Sequence, residues 1–422
     1  MEASRAPIFP LSGSFLPSFT PPPLNRMKII PRFVAVLPPA LAFALGVISA
    51  PVAEAAEKQL HKVQDTVLYD GPRFYSAFPS VVRRPDGEIL VAFRRAPDRK
   101  SLGEKSNNHV DPNSYLVTMR SRDGAKTWSP TPELLYAHPL GGSQDPCLLQ
   151  LTDGDLLCLS YLWTFVRPDG IPNLKSPVFQ NYPGSFFSGG YIVRSSDGGA
   201  SWKGPFSPLT IPQEKYLSPF GDPLPAYNRG AAIEGRDGRL FWAVAANHQI
   251  SPRRTSVHLL TSSDRGQTWT YSAPIAEDAK ASFNETSMYE TPKGDLLAFL
   301  RTEDIGDQAC IARSTDGGKT FQPWQPMGFK GHPLHALRLP DNRVLLTYGY
   351  RHKPYGIRAR VLNAECTDFA TAPEMVLRDD GGTTDLGYPW SAMIDDNRVI
   401  VVYYFNRENG RRHIAASILE LR

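Results

Sequence analysis

The stretch FPSVVRRPDGEILVAFRR, Phe78–Arg95, decides the fold because the chain repeats it. It reads as an apolar strand, a tight Asp-Gly turn and a second apolar strand, which is a β-hairpin pattern. Five more copies follow: DPCLLQLTDGDLLCLSYL from Asp145, RGAAIEGRDGRLFWAVAA from Arg229, ETSMYETPKGDLLAFLRT from Glu285, PLHALRLPDNRVLLTYGY from Pro333 and YPWSAMIDDNRVIVVYYF from Tyr388. Each turn carries a Gly or Asn, residues that tolerate positive φ: Gly87, Gly154, Gly238, Gly294, Asn342 and Asn397. Counting back nine from these gives Phe78, Asp145, Arg229, Glu285, Pro333 and Tyr388, the same offset in all six.

A second motif interleaves with the first. SRDGAKTW (121–128), SSDGGASW (195–202), SSDRGQTW (262–269) and STDGGKTF (314–321) share Ser-x-Asp-x-Gly-x-Ser/Thr-aromatic, with Ala125 at the Gly position of the first. Such a turn uses Asp to bond its own backbone, Gly to bend and the aromatic to anchor, which is a structural job. LNAECTDFATAP, after the fifth hairpin, reads as a decayed copy. Six strand-rich units of about 61 residues predict an all-β, six-bladed β-propeller. HKVQDTVLYD (61–70) is expected to supply the outer strand of the last blade and close the ring. Inserts at 96–114, 164–188 and 205–227 are the segments expected to shape a binding site.

Composition limits the rest. The 422 residues are 41% hydrophobic and 21% charged, which excludes a disordered chain. A net charge of +4 without a basic block gives nucleic-acid binding no support. Residues 1–26 hold six prolines; Lys28 and Arg32 then precede an apolar run, Phe33–Val52, that ends at Ala53-Glu54-Ala55. Charged, apolar and cleavage regions in this order are those of a secretory signal peptide, with translation starting at Met1 or Met27. Residues 1–55 are therefore expected to be an extension and export signal, and 56–422 a propeller exported to the periplasm or outside the cell, with no stable membrane insertion after cleavage. Cys147, Cys158, Cys310 and Cys366 are then open to oxidation, with free buried thiols the alternative. The histidines show no metal-ligand spacing and no phosphate-cradling loop is present, so no metal or cofactor is expected.

With its four Ser-x-Asp-x-Gly-x-Ser/Thr-aromatic turns, or Asp-boxes, the chain resembles the sialidase (neuraminidase) superfamily of propellers over 60–422. In a propeller the first strand of each blade lines the channel, so the six residues nine before the turns should face one funnel. Asp145 and Arg229 are substrate-binding candidates on that ground. The resemblance implies an exo-acting glycoside hydrolase that cleaves a terminal acidic sugar. It makes Tyr388 the nucleophile, Glu285 its base and Arg301 a cation for the substrate carboxylate. The carboxylate side chain accepts the phenol proton as the tyrosine attacks, and a neutral nucleophile avoids repelling an anionic sugar. The acid is expected on the loop after the first hairpin: Asp111, with Asp98 and His109 as alternatives. A further substrate-binding arginine is expected at Arg351 or Arg358. Sialidases carry Arg two residues before the Pro of the first strand, whereas this chain has Ala77, for which Arg94 or Arg95 are the possible replacements. Two other readings stay open: a different carbohydrate-active propeller enzyme, such as a polysaccharide lyase using Tyr388, His109, His332 or His335 as base, and a non-catalytic glycan-binding propeller.

Overall fold

In the computed structural model, residues 58–104, 109–407 and 410–422 are described; the expected export signal and the proline-rich stretch before it lie outside the described residues. The apolar hairpins pair as antiparallel ladders, and each gains two outer strands to make a sheet. Among the described residues there are six such sheets, arranged as a six-bladed β-propeller. Blade one runs Phe74–Arg83, Ile89–Pro97, Tyr115–Ser121, Glu133–Tyr136. Blade two has its innermost strand in two pieces, Gly142–Ser143 and Cys147–Gln150, followed by Leu156–Phe165, Ser185–Ser195 and Lys203–Phe206. Blade three spans Ile233–Glu234 to Thr270–Ala276, blade four Ser282–Glu290 to Gln325–Lys330, and blade five Leu334–Arg338 to Glu374–Arg378.

Blade six is built from both ends of the described chain. Gly387–Met393, Arg398–Asn406 and Arg412–Leu421 are joined by Leu60–Tyr69 as the outermost strand. Leu60 lies opposite Leu421, and the backbones of Gln59 and Arg422 exchange hydrogen bonds of 2.6 and 2.9 Å. The ring therefore closes where the sequence places its closing strand.

The core lies between blades, because both faces of each middle strand are apolar. Leu90 and Ala92 of blade one pack on Leu156 and Cys158 of blade two; Phe241 and Leu259 of blade three pack on Phe283 and Leu296 of blade four; Leu345 and Ile357 of blade five pack on Val399 and Val401 of blade six. Each fully buried side chain of this size contributes roughly 1.5–3 kcal/mol.

The four Asp-boxes share one geometry. Ser121, Ser195, Ser262 and Ser314 donate their hydroxyls to Asp123, Asp197, Asp264 and Asp316 at 2.7–2.9 Å. The other oxygen of each carboxylate accepts the hydroxyl of Thr127, Ser201, Thr268 or Thr320 at 2.5–2.6 Å. Two expectations are refined. Five of the six hairpin turns have the Gly or Asn at φ between 69° and 99°, but Asn397 is not in that region. All four cysteines are buried and free.

Candidate active site

The residue nine before each turn sits where the innermost strand breaks its ladder. In blade one Phe78 and Pro79 together oppose one residue; Glu285 and Thr286 do the same in blade four, and Tyr388 and Pro389 in blade six. These are β-bulges, and their first residues have φ of 58°, 37° and 55°. Left-handed backbone at a non-glycine residue costs about 1–3 kcal/mol and persists only where the surroundings impose it. The bulge re-aims a side chain that regular pleating would turn into a blade interface. Asp145 lies in the gap between the two inner pieces of blade two. Arg229 lies between the Tyr227–Ala245 bridge and the inner strand of blade three. Pro333 follows a cis bond and directly precedes the inner strand of blade five.

Five of these six residues converge. The Tyr388 hydroxyl donates to Glu285 Oε1 at 2.7 Å. Arg301 Nη1 stands 2.6 Å from Glu285 Oε2 and 3.4 Å from the Tyr388 oxygen. Arg229 lies over the Tyr388 ring at 4.7 Å and donates to the Pro79 and Tyr388 carbonyls. Phe78 meets the Tyr388 ring edge-on at 4.9 Å. Asp145 is buried beside Arg229 and Glu285, whose charges both act on it. Burial, reinforced by the Glu285 charge, pushes the Tyr388 phenol well above its ordinary pKa, so it is neutral at neutral pH with its proton held toward a carboxylate.

Tyr388, Glu285, Arg301 and Arg229 border a cavity of about 230 Å³, while Phe78 and Asp145, the latter a substrate-binding candidate from sequence, stand behind its lining. One side of its lining is charged: Arg229, Glu285, Arg301, Glu303 and Arg351. The other is aromatic, with Tyr161, Trp163, Phe179, Phe187 and Tyr227 supplied by blade two and its inserts. Arg351 crosses the Tyr388 ring at 5.3 Å and is fixed by the Tyr404 hydroxyl and the Leu386 carbonyl, each at 3.2 Å. His109 also lines the cavity, and burial pushes its pKa down to about 4, against the opposing charge of Asp385.

Several expected residues lie elsewhere. Asp111 is 1% exposed and absent from the lining among the described residues; its carboxylate is engaged by Arg99 at 2.5 and 3.2 Å and by the Asn113 amide. Asp98 caps the short turn Arg99–Leu102 instead. Arg358, on the third strand of blade five, donates to the carbonyls of Ile357, Pro354 and Arg378 and is buried away from the lining. Arg94 pairs across the ladder with Ala77 and is fully buried against the Tyr75 and Phe78 rings, outside the lining. Arg95 points to the Tyr69 and Tyr115 hydroxyls.

Tyr161 and Glu303 were not singled out from sequence, yet a simple signal marks them. Seven past the turn glycines stand Arg94, Tyr161, Ala245 and Arg301; nine past, the same count reaches Trp163, Glu303 and Arg351. Positions two apart share a strand face, so these residues form a second tier behind the first. Aromatic Phe179, Phe187 and Tyr227 come from inserts whose lengths alone pointed to them.

Comparison with known proteins agrees with this architecture. A family model described as a BNR repeat-like domain matches residues 179–401. A crystal structure of a protein of unknown function from Dyadobacter fermentans is 66% identical, with a TM-score of 0.84 over 86% of this chain and 99% of that one. NanB sialidase from Streptococcus pneumoniae is 16% identical with a TM-score of 0.56, covering 87% of this chain and 70% of that one. Trypanosoma rangeli sialidase is 15% identical with a TM-score of 0.57, covering 85% and 58%. At such identity the two sialidases share the fold alone. The comparison with curated proteins finds no match. With the family model spanning more than half of its length, the chain belongs to the BNR repeat-like domain family.

Proposed function

We propose that the chain is an exported, exo-acting glycoside hydrolase of sialidase type that cleaves a terminal acidic sugar with retention of configuration. The observation that carries this reading is the Tyr388–Glu285–Arg301 cluster, a phenol 2.7 Å from a carboxylate that itself meets a guanidinium at 2.6 Å. Blades four and six are not neighbours, so these groups meet only across the channel mouth.

Tyr388 attacks the anomeric carbon while Glu285 takes the phenol proton, which raises the nucleophilicity of an otherwise weak oxygen. The bond from the anomeric carbon to the glycosidic oxygen breaks, the aglycone departs on that oxygen, and the sugar is left as a tyrosyl glycoside. Water then attacks the same carbon, and Glu285 returns the proton to the departing Tyr388 oxygen. Arg301 and Arg351 present cations on the same wall and orient an anionic substituent of the sugar. The aromatic wall receives the apolar face of the ring. Asp111 takes no part in this scheme, since Arg99 holds its carboxylate.

The test is a panel of fluorogenic terminal glycosides, a sialoside and a uronoside included, against wild type and Tyr388→Phe. The expected result is turnover of an acidic-sugar member by wild type only, with unchanged folding of the variant. A fluorinated sugar of the same class should leave its mass on the peptide carrying Tyr388. Full activity in Tyr388→Phe would refute the mechanism.

A further inference from the structure

The scheme above lacks a donor for the leaving-group oxygen, and the cavity holds a second tyrosine–carboxylate pair that nothing has used. Tyr161 lines the cavity from the second strand of blade two, and its hydroxyl lies 3.1 Å from Asp145 Oδ2. Tyr161 is partly exposed; Asp145 behind it is 1% exposed, and its Oδ1 has no hydrogen-bond partner. Tyr161 is also close enough to Glu285 and Tyr388 to feel their charges. One pair, Tyr388–Glu285, suits attack. The other places a phenol at the cavity wall with a sealed carboxyl group hydrogen-bonded behind it.

We infer that Tyr161 is a catalytic residue that passes the Asp145 proton to the leaving-group oxygen, an inference that rests on the hydrolase reading above. With Asp145 protonated, its O–H donates to the Tyr161 oxygen, and the phenol proton is free to donate to the glycosidic oxygen. As the bond from that oxygen to the anomeric carbon breaks, Tyr161 gives up its proton and receives the one from Asp145. The aglycone leaves as a neutral alcohol, Tyr161 stays neutral and Asp145 becomes a carboxylate. In the second half the attacking water returns a proton along the same path.

The surroundings of Asp145 suit a group that both holds and releases a proton. Arg94 faces it from blade one, Tyr161 and Cys147 from blade two, Arg229 from blade three, Glu285 from blade four and Tyr388 from blade six. Burial raises its pKa to about 7, with Arg229 opposing and Glu285 adding to the rise. A carboxyl whose pKa is raised toward neutrality keeps a proton to donate at the pH where a general acid works best.

The test uses leaving-group dependence. Wild type, Tyr161→Phe, Asp145→Asn and Tyr388→Phe are assayed on an alkyl glycoside and a nitrophenyl glycoside of the sugar that wild type accepts. Tyr161→Phe and Asp145→Asn should lose about 10²–10⁴-fold in kcat/KM on the alkyl glycoside, which needs protonation, and less than about tenfold on the nitrophenyl glycoside, which does not. The fall in wild-type kcat/KM above about pH 7 on the alkyl glycoside should flatten in Asp145→Asn. Equal losses on both substrates, or none on either, overturn the relay while Tyr388→Phe stays inactive. If Tyr388→Phe retains activity, or wild type hydrolyses no glycoside, the hydrolase reading fails and the relay with it. Unfolding midpoints of each variant identify a loss of fold.

Discussion

Asp145 should leave a measurable mark on stability as pH changes. Its carboxyl has a pKa near 3.9 in an unfolded chain, and burial in the fold raises it to about 7. A group that binds its proton more tightly when folded stabilises the fold while protonated, and that contribution is lost as pH rises through the folded value. The gap between the two values corresponds to roughly 4 kcal/mol, of which roughly 3 kcal/mol falls between about pH 5 and about pH 8. Asp145→Asn removes the titration yet keeps an oxygen that accepts from Tyr161. Urea unfolding of both proteins at the two pH values gives a difference in which the titrating groups not coupled to Asp145 cancel. The expected result is that the variant gains roughly 3 kcal/mol on wild type as pH rises over that interval. Parallel profiles, with the difference constant to about 0.5 kcal/mol, would refute the picture of a carboxyl sealed behind Tyr161.

Other consequences are equally direct. Glu285→Gln should slow turnover by about 10²–10⁴-fold, the usual worth of a positioned base, with a smaller change in KM; steady-state kinetics decide. Arg99→Met should lower stability by about 1–3 kcal/mol, because the Asp111 carboxylate is left buried without its cation, yet kcat/KM per folded molecule should hold within about threefold. A large activity loss there would return Asp111 to the chemistry. Phe179→Ala should raise KM about tenfold with kcat little changed, since the ring borders the cavity and carries Arg253 stacked at 4.1 Å; an unchanged KM would remove the aromatic wall from substrate binding.

The fold was legible because its signal is repetition. Equal offsets at six hairpins survive any error in one strand, and the residues from 61 onward were visible as the missing outer strand. The bulged positions were legible too, since one slot held Phe78, Glu285 and Tyr388 where a plain channel lining would be uniform. What failed were side-chain partners made by loops. Asp111 stands in an irregular segment, and nothing in the sequence says that Arg99 turns back onto it. Arg358 belongs to a third strand, where the hairpin count gives no direction. Tyr161 stands seven past Gly154 as Arg301 stands seven past Gly294, so a count from the turns reaches both.

The way the ring closes also governs when the cavity comes into being. The strand Leu60–Tyr69 pairs with Arg412–Leu421, the most distant partners in the described chain. Bringing such ends together costs roughly 3 kcal/mol more than closing a ten-residue hairpin, unless the intervening blades are already ordered and shorten the effective loop. Closure of blade six is thus cheapest as the last event in folding. Tyr388 lies on that blade, and Glu285 waits for it from blade four. A chain with five finished blades would carry nearly all of its secondary structure and no assembled nucleophile, so recovery of activity after refolding should trail recovery of sheet content and report the joining of the two ends.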